Sequence, residues 1–416
     1  CGADLIICET LTDSYETKAA LLAAKESCPL PVFVTNAYDE SGKLMTGAEP
    51  RAMVAMLEGL GADAIGINCS FGPDKAEPIA EEYLKYSSVP FIVNPNAGLP
   101  TVKNGETVYT TSSGEFSDIM RRIAEKGAAV LGGCCGTTPE YIAATIEKTK
   151  SIPYEYPSFK EHTLVSSYTH AVEIGKAPIL IGERINPTGK KAFKQALRDG
   201  DINYILNEAV RQEEKGAHIL DVNVGLPEID EKTMMTEAVK ALQGVTDLPL
   251  QLDSSSPEVL ENALRIYNGK PLLNSVDATA EKVKKIFPLA KKYGAAVIAL
   301  ALDENGITET AEGRLSAIEK IVSEAEKYGI HKKDIIADPL ALTVSSDDKS
   351  AAVTLEAVRL IKERAGVKTS LGVSNISFGL PERDKINSAF FALALENGLD
   401  CAIMNPFSRR MTDVYY

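Results

Sequence analysis

No run in this chain approaches the roughly 20 consecutive apolar residues that a membrane span requires, and the opening stretch CGADLIICET lacks the basic region of a secretory signal. A membrane-embedded or exported protein is therefore not expected. Positive charge is also short, with 44 Lys and Arg against 58 Asp and Glu and a formal net charge of -14. Nucleic acid and anionic membrane would be repelled at long range, which leaves small molecules as the expected ligands. Disulfides are a poor prospect, because seven cysteines are an odd number scattered over 416 residues. Reduced thiols in a cytoplasmic protein, free to serve a metal, fit better. There is no initiating Met and no cap or turn before the first strand-like run, Ala3 to Cys8, and the chain stops at MTDVYY where a helix should begin. Both features suit a fragment of a longer chain.

What the sequence does contain is a regular alternation of short β-rich runs with amphipathic helical stretches, the pattern of βα units and a parallel sheet. The expected fold class is α/β, with two (β/α)8 (TIM) barrels in tandem. In residues 1–150 strands are expected near 3–8, 32–37, 64–68, 91–94 and 128–133, separated by helices such as Tyr15 to Glu26 and Pro50 to Leu60. A closed barrel needs eight strands. Because the last of these runs is followed by a helix, Pro139 to Lys148, and then by a connector, the first three βα units are the ones expected to be missing. Residues 151–178 mix prolines with polar residues and read as that connector. From 179 to 416, eight more strand-like runs (179–186, 218–225, 249–255, 271–276, 295–302, 334–340, 369–375 and 401–406) predict an essentially complete second barrel.

Cys69 in IGINCS and the adjacent pair Cys134 and Cys135 in VLGGCCGTTP each follow an apolar run, where a barrel strand would end and an active site would lie. Three thiolates around zinc leave one tetrahedral position open, as catalytic sites do, and a substrate sulfur could take it. Two vicinal cysteines reach one metal only if the backbone turns sharply, and Gly132, Gly133 and Gly136 offer that freedom. A lone Cys is more often a small core residue, but a GGCCGT turn with a third Cys in an equivalent setting is not a chance arrangement.

Polar residues also cluster where the second set of strands should stop: Glu183 and Asn186, Asp221 and Asn223, Asp253, Asn274, Asp338, Ser374 and Asn375. Residues of this kind commonly cap the next helix. As a set they describe a cup lined with hydrogen-bond acceptors, suited to a flat, donor-rich heterocycle. A pterin edge offers an amino group beside a ring N–H, so that one carboxylate, Asp253 or Asp338, could accept both. Glu183, Asp221, Asp253, Asp338 and Asn375 are the candidate ligands, with Asn274 next.

GINCS, NPNAG and GGCCGTTPE, followed in order by IGERIN, LDVN, LLNS, DP and GVSNISFGLPER, resemble the amino-terminal half of the cobalamin-dependent methionine synthase family over essentially the whole chain. The resemblance implies a first barrel that binds homocysteine and a second, similar to dihydropteroate synthase, that binds 5-methyltetrahydrofolate as methyl donor. It implies zinc ligation by Cys69, Cys134 and Cys135, with Glu9 near the homocysteine amino group and Asn94 and Asn96 beside that pocket. Around the pterin it implies Asp221, Asp253, Asn274, Asp338 and Asn375, with Arg184, Arg383 and Ser377 at the rim. The family's opening segment with its DGA turn is absent. So is the D-x-H-x-x-G pattern of cobalamin modules, which none of His162, His170, His218 and His331 provides. The cobalamin is therefore expected on a module outside this chain or on a separate corrinoid protein.

The implied reaction moves a methyl group from N5 of the folate, through that carrier, to a zinc-bound homocysteine thiolate, giving methionine and tetrahydrofolate. Zinc makes a thiolate from a thiol that is mostly protonated at neutral pH, and the folate amine leaves only with general acid help. Asn375 is the expected donor near N5, with Asp253 or Asp338 stabilising charge on the ring. Two alternatives are a zinc-dependent homocysteine methyltransferase with a different donor and a module that binds folate without catalysis.

Overall fold

Runs such as VFVTN and AIGINC are buried along most of their length in the computed structural model, as strands of a parallel sheet covered by helices must be. Helix starts are marked locally. Asp13 caps the helix Ser14–Ser27 by accepting from the Glu16 N–H, and proline opens the helices Pro50–Gly59, Pro73–Tyr86, Pro139–Thr149 and Pro257–Ile266, where its missing N–H costs nothing. The structure describes residues 2–103 and 105–416, so that Cys1 lies outside the described residues. It divides into two units, Cys1–Glu161 with Tyr168–Ala171, and His162–Ser167 with Val172–Tyr416. Among the described residues no helix is long and apolar enough to cross a membrane.

In the first unit β1 (Ile6–Leu11), β2 (Val32–Asn36), β3 (Ala64–Cys69) and β4 (Phe91–Pro95) are followed by an antiparallel hairpin, β5 (Pro100–Lys103) and β6 (Glu106–Tyr109), and then by β7 (Val130–Leu131). The sheet is open, parallel and ordered β1-β2-β3-β4-β7. The run expected at 128–133 contributes only two residues, because its glycines leave the ladder to form the cysteine loop.

The stretch 151–178, expected to be an irregular connector, contains a hairpin of β8 (Thr163–Ser166) and β9 (Ala171–Ile174). Val165 and Ile174 join Ile179, Ile181, Leu272 and Ala296 in one buried cluster. The last four stand at or near the strand starts of the second unit, so β8 and β9 floor its barrel. The alternation in TLVS and AVEI was the available signal, too short to stand out.

The second unit is α/β as expected, and its eight parallel strands close in the order β10 (Ile179–Ile185), β11 (Ile219–Val222), β12 (Leu250–Asp253), β13 (Leu272–Asp277), β14 (Ala296–Leu300), β17 (Ile335–Asp338), β18 (Lys368–Gly372) and β19 (Cys401–Met404). A small hairpin, β15 (Leu302–Asp303) and β16 (Gly306–Ile307), follows β14. Strand parity then aims the side chains. Ile181, Ile219, Leu272 and Ile336 point into the barrel core, so the residues two further on, Glu183, Asp221, Asn274 and Asp338, point the same way at the C-terminal mouth.

Candidate functional sites at two strand-end clusters

At the end of β3 the chain passes through two successive left-handed residues, Cys69 with φ 63° and Ser70 with φ 66°. This conformation is unusual away from glycine and marks a place where the surroundings overrule local preference. Asn68, buried just before it, ties the turn down. Its Oδ1 accepts from the Thr10 N–H at 2.8 Å and the Thr35 hydroxyl at 2.7 Å, and its Nδ2 donates to Thr10 Oγ1 at 2.6 Å. The other loop is fastened to the end of β4. The Cys134 N–H donates to Pro95 O at 2.8 Å, the Cys135 N–H to Asn96 Oδ1 at 3.0 Å, and the Ala97 N–H to Cys135 O at 2.9 Å.

The result is a convergence of three sulfurs. Cys135 Sγ lies 3.9 Å from Cys69 Sγ and 4.0 Å from Cys134 Sγ, and all three are within 4.8 Å of one another. A tetrahedral ion with metal–sulfur bonds of about 2.3 Å needs sulfur–sulfur edges of about 3.8 Å, so these residues fit such an ion with little movement. Without a cation, burial and the neighbouring Cys69 and Cys135 sulfurs push the Cys134 thiol up to about 11.

Two sequence readings change here. Only Gly136 of the three glycines is left-handed, at φ 79°. Gly132 and Gly133 serve instead by leaving space, since a Cβ would lie 2.5 Å from Asn94 Oδ1 and from the Thr137 side chain respectively. Asn96 is buried and its oxygen holds the Cys135 backbone, so that it positions a sulfur. Glu9 is exposed on β1, one residue before the anchored Thr10, and its side chain bonds to no side chain or backbone group among the described residues. Sequence reasoning missed Tyr109, whose ring lies against Gly136, 2.3 Å from where a Cβ would be. Burial and the charge of Cys135 push its phenol up. No spacing rule links a tyrosine on β6 to the cysteine loop.

At the mouth of the second barrel the acids stack in depth. Asp221 is fully buried, accepts from Gln251 Nε2 at 2.5 Å and also bonds to Asn274, and burial together with the charge of Asp253 pushes its carboxyl well above the usual range. Asp253 accepts from Asn223 Nδ2 at 2.9 Å, and burial pushes its carboxyl up to about 6. Asp338 accepts from the Leu340 N–H at 2.8 Å and is likewise pushed up to about 6 by burial. Glu183 accepts from Ser374 Oγ at 3.1 Å. Burial raises it, against the charges of Lys190 and Arg383. Asn375, in the turn Val373–Ser377 after β18, is exposed at this mouth. Between the β10, β11 and β12 loops opens a cavity of about 500 Å3 lined by Asn223, Glu231, Asp253 and Ser254 among others.

Two rim residues are placed otherwise than expected. Ser377 is fully buried, and its oxygen accepts from Arg383 Nε at 3.0 Å, so it supports the arginine. Arg184 has the outward parity of β10, and its Nε donates to Glu208 Oε2 at 3.2 Å on the covering helix Ile202–Glu214. Arg383 remains at the mouth, its Nη2 donating to Ser374 O at 2.7 Å. Gln251, missed from sequence, stands two residues before Asp253, where parity would have found it.

Residues 182–405 match the family model for pterin binding enzymes, and residues 1–149 match that for homocysteine S-methyltransferase. Two curated relatives, both named methionine synthase, are 33% identical over 430 aligned residues (Mycobacterium leprae) and 32% over 425 (Mycobacterium tuberculosis), covering 97% of this chain and 36% of each relative. The chain thus spans about a third of the length of these relatives. Among solved structures, dihydropteroate synthase of Xanthomonas albilineans with 4-aminobenzoic acid has a TM-score of 0.48 at 17% identity, over 61% of this chain and 96% of that one. The enzyme of Yersinia pestis has a TM-score of 0.47 at 16% identity, with the same coverage.

Proposed function

Since the chain belongs to the pterin binding enzyme family, with a homocysteine S-methyltransferase match ahead of that region, we propose that it supplies the two substrate-binding units of a methionine synthase. The first unit binds homocysteine and the second 5-methyltetrahydrofolate, in a cytoplasmic protein with reduced thiols. The convergence of Cys69, Cys134 and Cys135 carries the reading.

These three residues would hold zinc, which supplies a lowered thiol pKa and an orientation for the bound sulfur. The rest of the first site serves that arrangement. Asn68 and Asn96 fix the two cysteine loops, so the sulfurs are set before substrate arrives. Asn94 flanks the pocket, and Glu9 is free to meet the homocysteine amino group.

In the second unit Asp253 and Asp338 accept the N–H groups of the pterin edge, with Asn274 beside Asp253 in the ladder and Asp221 beneath. Binding donors to these carboxylates favours their charged form. Asn375 donates toward N5 and assists departure of the amine. Asn375→Ala should slow methyl transfer more than it weakens folate binding, and an unchanged rate removes that role. None of His162, His170, His218 and His331 lies in a D-x-H-x-x-G pattern, and in this reading the methyl carrier is a cobalamin module or a separate corrinoid protein.

Elemental analysis of the purified protein tests the reading. One zinc per chain is expected, with serine in place of Cys69, Cys134 or Cys135 emptying the site and abolishing homocysteine binding. Zinc retained by all three variants would refute it.

A further inference from the structure

The mouth of the second barrel has two faces of opposite character. On the β11 and β12 side, Glu231, Asp253 and Asn223 line the cavity. Across the ring, after β18, the rim instead carries Phe378 and Arg383. Phe378 is 63% exposed, so its ring is open to solvent beside the binding cup.

Its backbone is held from several directions. The Phe378 carbonyl accepts from Thr343 Oγ1 at 2.9 Å and Ser345 Oγ at 3.5 Å, its N–H donates to Asn375 O at 3.1 Å, and the Val344 N–H donates to Ile376 O at 3.0 Å. Arg383 stands over the ring with its guanidinium carbon 6.0 Å from the centroid. That arginine is itself fixed by Ser377 Oγ and Ser374 O through Nε and Nη2, while Nη1 is left available among the described residues. Ser374 in turn donates to Glu183 inside the cup. The segment that carries Asn375 therefore displays an aromatic ring and a cation together, in fixed geometry, at the rim.

Resting on the folate reading above, we propose that Phe378 is a stacking platform for the aromatic ring joining the pterin to its carboxylate tail, and that this tail leaves the cup over the β18 rim past Arg383. The charge pattern supports this direction. An anionic tail on the opposite side would meet Glu231 and Asp253, whereas on this side it meets a guanidinium. Phe378 thus selects folates over bare pterins and acts on binding, not on the methyl group.

The test measures equilibrium binding of 5-methyltetrahydrofolate and of 5,6-dimethyltetrahydropterin, which keeps the ring and methyl group but has no tail. The full chain is compared with its Phe378→Ala and Phe378→Trp variants. Stacking of this kind predicts about a tenfold loss of folate affinity in Phe378→Ala, no loss for the tail-less pterin, and recovery in Phe378→Trp. Equal losses for both ligands, or none for folate, overturn the proposal. Wild-type protein that binds the two ligands equally well also overturns it and leaves the folate reading standing. Wild-type protein that binds neither removes the folate reading, and this inference with it.

Discussion

Lowering the pH from 7 to 5 should weaken pterin binding to the second barrel by about tenfold for each carboxylate that must be ionised. Burial pushes both Asp253 and Asp338 up to about 6. At Asp253 the Asn223 hydrogen bond opposes this and the charge of Glu231 adds to it; at Asp338 the Leu340 N–H and the Arg314 charge oppose it. With a pKa near 6, about nine-tenths of such a group is ionised at pH 7 and about one-tenth at pH 5. Each therefore contributes about a factor of ten, and the pair about a hundred. Pterin N–H donors favour the charged form, so binding at pH 6 should also release protons. The perturbation is Asp253→Asn, which should remove one factor of ten from the pH dependence. A suitable assay is calorimetric titration with 6-methylpterin, whose ring keeps its protonation state over this range, repeated in buffers of different ionisation enthalpy. A wild-type affinity that stays flat between pH 7 and 5, with no proton release, would refute the assignment of these acids to the pterin edge.

Asp338 has a folded-state pKa above its ordinary 3.8, so the folded chain prefers its protonated form. The penalty is absent below about pH 4 and develops as pH rises through about 6. Asp338→Asn should thus stabilise the ligand-free protein by about 3 kcal/mol at pH 7.5 and by little at pH 4; denaturant unfolding at both pH values checks this, and a loss at pH 7.5 contradicts it. Gly136→Ala touches no sulfur, yet its Cβ would meet the Tyr109 ring at 2.3 Å on a residue with φ 79°. It should lower metal retention after dialysis, and a metal content equal to wild type would mean that the loop yields.

The β/α alternation and the closing of eight strands in the second unit were legible in the sequence, as was the grouping of Cys69 with Cys134 and Cys135 as strand-end residues. These depend on period and on short runs of neighbouring residues, which the chain carries locally. Only the tertiary structure decided what each polar strand-end residue faces. Ser377 and Arg383 are six residues apart in the sequence, yet one turns inward as a support and the other stays at the mouth. Arg184 and Glu183 are adjacent, and strand parity sends them to opposite sides of the β10 wall. Cys69 adopts a left-handed conformation because Asn68 is held by Thr10 and Thr35, 58 and 33 residues away. Such contacts form only when separate strands are brought side by side, so no local pattern could announce them.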